Sequence, residues 1–182
     1  MSRLLRRLGI RRAVFWTVLA LLAAFVLFIQ FVVDSGGSAK DFGPAMIVQY
    51  PAATELPAAE VLAVVDGDTI DVALDDDRVR VHYYGAEAPA ESGECAQEAQ
   101  LRNRQVVEGT TVRLLTPTVG EAEDEQGALH RYVFNEGGLS IEGLLINEGM
   151  LAARRNQGQF AAEFLALERS ALAKAAGCLW RH

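Results

Sequence analysis

Cysteine is scarce in this chain, with two residues in 182, so a disulfide-dense miniprotein is excluded. Five prolines and sixteen glycines in no strict period exclude a collagen-like repeat. Basic residues become scarce once the first dozen positions are passed. Arg3, Arg6, Arg7, Arg11 and Arg12 are five of the 17 Lys and Arg, which leaves 12 against all 24 Asp and Glu. The whole chain carries a net charge of -7, and the part after residue 12 therefore stands near -12. A surface that acidic repels phosphate at long range and offers no electrostatic funnel for nucleic acid. What is present is a globular composition, 51% apolar and 23% charged, which rules out wholesale disorder. The length suits one compact domain with additions and is too short for two ordinary domains side by side. No internal repeat or low-complexity tract is visible.

One hydrophobic run is long. Ala13 to Val33 spans 21 residues without a charge, interrupted only by Thr17 and Gln30. As a helix it would reach roughly 30 Å, the thickness of a bilayer's hydrocarbon core. It is apolar on every face, unlike a helix that covers a soluble core. Arginines crowd its N-terminal side and acidic residues follow it, so the positive-inside rule puts residues 1–12 in the cytoplasm and the rest outside. The expectation is a single-pass transmembrane signal-anchor at 13–33 and a Gly/Ser-rich flexible linker at 34–45, followed by one folded domain at 46–182. The localisation that follows is the cell membrane with an extracytoplasmic domain. The alternative is secretion after signal cleavage, since Gly37-Ser38-Ala39 offers small residues at a suitable point.

In the domain, short runs rich in Val and Ile come first. Glu60–Val65, Thr69–Leu74 and Val79–Tyr84 are separated by Asp66-Gly67-Asp68 and by Asp75-Asp76-Asp77, which predicts an antiparallel meander. Cys95–Glu108 is helix-favouring and stops at Gly109. Thr111–Leu115 and Leu129–Phe134 read as two further strands around an acidic loop at Glu121–Glu125. Ile141–Glu148 predicts a helix capped by Ser140 and stopped by Gly149. Phe160, Phe164, Leu167 and Ala171 fall on one face of a last helix ending at Gly177. The class is α+β: a five-stranded Greek-key barrel of the OB type with three helices, preceded by one transmembrane helix.

The sharpest motif is Val64-Val65-Asp66-Gly67-Asp68-Thr69-Ile70. It is followed in order by Tyr84-Gly85-Ala86-Glu87-Ala88-Pro89, Gly109-Thr110-Thr111-Val112-Arg113-Leu114, Arg131-Tyr132-Val133-Phe134 and Ala175-Ala176-Gly177-Cys178-Leu179-Trp180. In this order and spacing, residues 58 to 181 resemble the staphylococcal nuclease (thermonuclease) family. The resemblance implies an OB-fold barrel with three helices. It also implies a Ca²⁺ ion held by two carboxylates and a backbone carbonyl, a Glu that activates water, and two Arg that meet charge building on the phosphate. Those parts answer a general demand of phosphodiester hydrolysis: a metal, a base and fixed cations.

Carried over position by position, the resemblance makes Asp68 the first metal carboxylate and Asp66 its neighbour behind it. Glu87 stands at the second carboxylate position and the Ala88 carbonyl at the third, so the metal side implies a Ca²⁺ ion that is weakly bound or absent. The plainer alternative is that Asp66 and Asp68 shape a turn and Glu87 lies in solvent. The catalytic side departs from the pattern at three places. The family Glu falls on Ala90, one family Arg falls on His82 and the other on Ala128. Losing base and cations together should abolish family-type catalysis. Three substitutes are conceivable: Glu91 for the base, Arg80 on the same strand face as His82, and acid–base chemistry from His82 and His130.

An even cysteine count in a domain expected outside the membrane favours a Cys95–Cys178 disulfide, with two buried free thiols as the alternative. The function expected is a catalytically inactive, membrane-anchored thermonuclease-like domain that acts as a binding or scaffolding module for a protein or a cationic ligand. Two alternatives stand beside it. One is a Ca²⁺-dependent nuclease with an altered site, and the other an inactive single-strand nucleic-acid-binding protein of the envelope.

Overall fold

The computed structural model describes residues 48–50, 52–90, 93–155 and 158–181. The expected anchor, the linker and Glu91 lie outside these residues. Among the described residues no helix is long and apolar enough to cross a membrane. The chain divides into two units after Ala45, and all that follows concerns the second.

Five strands close into a barrel: β1 (Ala58–Val64), β2 (Thr69–Leu74), β3 (Asp77–Tyr83), β5 (Thr111–Leu115) and β6 (Leu129–Asn135), in the order β1-β2-β3-β6-β5 with β5 returning to β1. The class is α+β, as the order of elements predicts. Two Asp residues make the β2–β3 turn. Asp75 and Asp76 both have positive φ, 51° and 71°, the conformation a two-residue hairpin needs and one that Asp tolerates better than most side chains. In β1 a register shift between Val61 and Ala63 moves the inward side from Ala59 and Val61 to Val64, so the strand bends with the barrel wall. Whereas β1, β2 and β3 form the expected antiparallel meander, β3 and β6 run parallel, with His82 opposite His130.

A second, two-stranded sheet was not foreseen. β4 (Ala86–Glu87) pairs with β7 (Ala152–Ala153), and two-residue runs show no period to read in a sequence. Four α-helices are present among the described residues where three were expected: α1 (Glu94–Val107), α2 (Ile141–Asn147), α3 (Ala161–Ala173) and α4 (Gly177–Trp180). Ser140 caps α2 as predicted, its hydroxyl accepting from the Gly143 N–H at 3.0 Å. Helix α3 stops before Gly177 because the chain turns through a left-handed Ala175, φ 48°, and the single turn of α4 follows.

The core joins barrel and helices. Ile70, Val72, Val81, Tyr132, Val133 and Phe134 from the strands, and Leu145, Ile146 and Phe164 from the helices, are fully buried. Phe160 stands just before α3 and sets its ring 4.8 Å from Tyr132 and 6.0 Å from Phe134, which extends the face of Phe164, Leu167 and Ala171 as the sequence spacing predicted. Cys95 and Cys178 form a disulfide with Cα atoms 5.1 Å apart, tying α4 to the start of α1. Nearby Glu148 accepts two charge-assisted hydrogen bonds from Arg102, at 2.6 and 2.7 Å, an arrangement stronger than a neutral bond.

Candidate functional site

The Asp66-Gly67-Asp68 turn between β1 and β2 sits where two clefts meet. One, about 480 Å³, is lined by Asp66, Asp68, Thr69, His82, Glu121, Asp124, His130 and Arg154 among others. The other, about 520 Å³, runs from the same turn along Glu87, Ala88 and Ala90 to α1. Both share Asp66, Asp68 and Arg154.

Local hydrogen bonds lock the turn. The Asp68 N–H donates to Asp66 Oδ1 at 2.9 Å, which makes a side-chain-closed turn. The Asp68 carboxylate accepts from the Ala88 N–H at 2.8 Å through Oδ2 and from the Thr69 hydroxyl at 3.1 Å through Oδ1. Burial pushes its pKa up to about 6, the neighbouring Asp66 carboxylate adds to the rise, and the Ala88 N–H opposes it. Thr69 also meets His82, with Oγ1 2.9 Å from Nδ1. A hydroxyl has one proton, and Asp68 takes it when ionised, so Nδ1–H of His82 is the donor to Thr69. His82 Nε2 then faces Asp124 Oδ2 at 3.8 Å and pairs with it once protonated. Burial, followed by the neighbouring His130, holds the His82 pKa below its usual value, while Asp124 pulls the other way. The pKa of Asp124 is itself lowered, first by the Ala128 N–H that it accepts at 2.9 Å.

The sequence-derived site residues are divided by the fold. Asp66, Asp68 and His82 share the first cleft, and Asp66, Asp68, Glu87, Ala88 and Ala90 share the second. Arg80 and Ala128 line a third depression of about 420 Å³ with Asp71 and Arg78. Arg80 donates to Asp71 Oδ1 at 3.0 Å and Arg78 to Oδ2 at 2.8 Å, and Arg80 is the first cause of the lowered Asp71 pKa. The guanidinium proposed as a substitute is thus committed to a buried aspartate. Glu87 is exposed, and its Oε2 lies 3.7 Å from Arg154 Nε. Among the described residues no three His, Cys, Asp or Glu side chains are grouped to hold a metal ion.

Sequence reasoning missed Arg154, the cation common to both clefts. It follows β7, whose pairing with β4 was invisible in the sequence, and its N–H donates to the Gly85 carbonyl at 2.8 Å. It also missed that His82 and His130 are neighbours, with ring centroids 5.9 Å apart. His130 Nδ1 lies 3.1 Å from the Glu121 carbonyl, and since a carbonyl only accepts, that nitrogen carries the proton.

Fold and site together define an α+β barrel protein with a disulfide-tied C-terminus and an acid-rich pair of clefts around an Asp-Gly-Asp turn. No family model matches the chain. Protein ParB of Escherichia coli is 32% identical to it over 144 residues, which cover 74% of this chain and 78% of that protein. The chain belongs to the family of that protein.

Proposed function

We propose that this is an OB-fold, thermonuclease-like domain without family-type nuclease activity, and that its acid-rich cleft binds a cationic segment of a partner protein. The observation that carries the reading is the make-up of the cleft walls. An imidazole stands at one family arginine position, the other falls on nearly buried Ala128 away from this cleft, and the base position is Ala90. Asp66, Asp68, Glu121 and Asp124 line the space in which a phosphate would have to lie. Among the described residues, four carboxylates against one guanidinium favour an Arg- or Lys-rich ligand over a polyanion. The domain is proposed to lie outside the cell membrane behind an uncleaved anchor at 13–33. The apolar run and its arginine flank support this, and the disulfide suits an oxidising compartment.

The test is a pair of assays on the purified full chain. Single-stranded DNA and RNA are incubated with calcium and then with a chelator, and no cleavage is expected. A labelled oligoarginine peptide is expected to bind, and Asp124→Asn with Glu121→Gln to weaken that binding about tenfold, roughly 1.4 kcal/mol. Chelator-sensitive cleavage that Asp68→Ala abolishes would overturn the reading. So would salt-dependent retention of single strands in place of the peptide.

One observation favours a second reading, an altered hydrolase. With Nδ1–H held by Thr69, neutral His82 carries its lone pair at Nε2 on the cleft wall beside Asp124, the tautomer that can take a proton from a bound nucleophile. It predicts cleavage of DNA or RNA that is lost in His82→Gln.

A further inference from the structure

We propose that the guanidinium of Arg154 is the resident cation of the carboxylate site, standing where the resemblance places a divalent metal ion, so that the clefts take their ligand without metal. The inference deepens the binding reading above, because it concerns the same walls and says what balances their charge.

The donor set does not fit calcium. Ca²⁺ takes six to eight oxygen ligands and draws its strength from converging carboxylates. Here each Asp68 oxygen already accepts one hydrogen bond, from the Ala88 N–H at 2.8 Å and from the Thr69 hydroxyl at 3.1 Å, and keeps a single lone pair, too few for calcium without a second carboxylate. Asp66 Oδ1 is turned back on the Asp68 N–H at 2.9 Å. Glu87, the second carboxylate of the pattern, faces Arg154 at 3.7 Å. No three acidic, His or Cys side chains converge among the described residues.

Arg154 fits in the metal's stead. The β4–β7 pairing places Ala152 opposite Glu87 and Ala153 opposite Ala86, and the Arg154 N–H then closes on Gly85 at 2.8 Å. This fixes the residue's backbone beside the Glu87 strand. Among the described residues Arg154 is the one Lys or Arg that lines both clefts. The Glu87–Arg154 pair is about half exposed on both sides, so it contributes little to stability. Its consequence is electrostatic: a charge that persists at every working pH and needs no dehydration, with a planar fork of donors suited to a carboxylate.

The experiment is calorimetric titration of the full chain with calcium chloride alone. The wild-type protein should show no saturable binding up to about 10 mM, well above the weakest calcium modules at about 1 mM. Arg154→Gln releases Glu87 and should create a saturable site in the millimolar range, which Asp68→Asn in the same background abolishes. Arg154→Lys keeps the charge and should stay blind to calcium. Saturable binding by the wild type overturns the proposal, and so does a folded Arg154→Gln protein that gains nothing. If that variant does not fold, the wild-type titration decides alone. Calcium binding by the wild type leaves the peptide-binding reading standing, whereas metal-independent cleavage of nucleic acid ends that reading and leaves this one.

Discussion

His82 and His130 are register partners on the parallel β3–β6 pair, and their rings lie 5.9 Å apart on the wall of one cleft. Barrel closure sets His82 among Thr69, Asp124 and His130, so its protonation reports on the whole wall. With Nδ1–H spent on Thr69, neutral His82 turns a lone pair toward Asp124, and only the protonated ring can pair with it.

The His82 resonance in an NMR titration is therefore expected to have a midpoint below the ordinary 6.5. Asp124→Asn should lower it further, because the attraction that opposes burial is gone, and His130→Gln should raise it. The stability linkage follows in sign. Between the folded pKa and about 6.5 the unfolded chain binds more protons, so stability falls as pH drops through that window and is complete above it. Urea unfolding of wild type and His82→Gln between about pH 5 and 8 checks this, since the variant should lose that part of the slope.

Glu142 gives the opposite slope. It is fully buried at the start of α2, with Oε1 2.6 Å from the Val133 N–H and Oε2 2.9 Å from the Ser140 hydroxyl. Burial pushes its pKa up to about 8, against the lowering pull of its own and the Val133 N–H groups and the Ser140 hydroxyl. The folded protein then holds a proton that the unfolded chain releases, and stability present below about pH 4.5 is lost as pH rises through 8. Glu142→Gln should flatten that loss, because an amide can donate where the neutral acid does. Glu142→Ala should cost about 1–3 kcal/mol at neutral pH by stranding the Val133 N–H. Urea midpoints at three pH values separate these outcomes.

The strands Thr69–Leu74 and Thr111–Leu115 were legible to the residue, because β-branched runs are bounded there by turn chemistry. Ser140 and Gly149 were legible as the ends of α2 for the same local reason. β1 starts earlier than expected, at Ala58, because alanine carries no strand signal and the pairing with β5 supplies the order. The site was legible only where one segment holds it, as in the Asp66–Asp68 turn. Arg154, Asp124 and the His82–His130 contact depend on which distant strands pair, and no local pattern reports that. Glu142 was hidden for another reason. A Glu at the start of a helix reads as solvent-facing, whereas the fold spends it on the backbone of β6.

The Cys95–Cys178 disulfide closes a segment of 83 residues, for which the loop-entropy account gives an upper estimate of about 4.5 kcal/mol. The double variant Cys95→Ser, Cys178→Ser is expected to unfold at clearly lower urea, losing about 2–4 kcal/mol. It should still fold, because the apolar core of barrel and helices does not include the cysteines; Arg181–Glu98 at 2.5 Å also joins α4 to α1, and Arg102–Glu148 at 2.6 Å joins α1 to the end of α2. Equality of the variant with the wild type in reductant, and its shortfall without reductant, is the measurement.

Gly149 and Gly109 share a left-handed backbone with φ of 69°, and the difference between their surroundings predicts different costs for alanine. At Gly109 a Cβ would meet nothing within 4 Å, so Gly109→Ala carries only the backbone penalty of about 1–2 kcal/mol. At Gly149 the same Cβ would strike the Ala176 carbonyl and lie 3.0 Å from the Trp180 ring. That carbonyl belongs to the segment entering α4, which cannot give way without loosening the disulfide-tied end of the chain. Gly149→Ala is therefore expected to cost more than Gly109→Ala by about 1–3 kcal/mol, the usual range for overpacking. Urea unfolding of the two variants side by side isolates this packing contribution. Equal losses would mean that the α4 segment yields freely, and that Gly149 is required by its backbone angle alone.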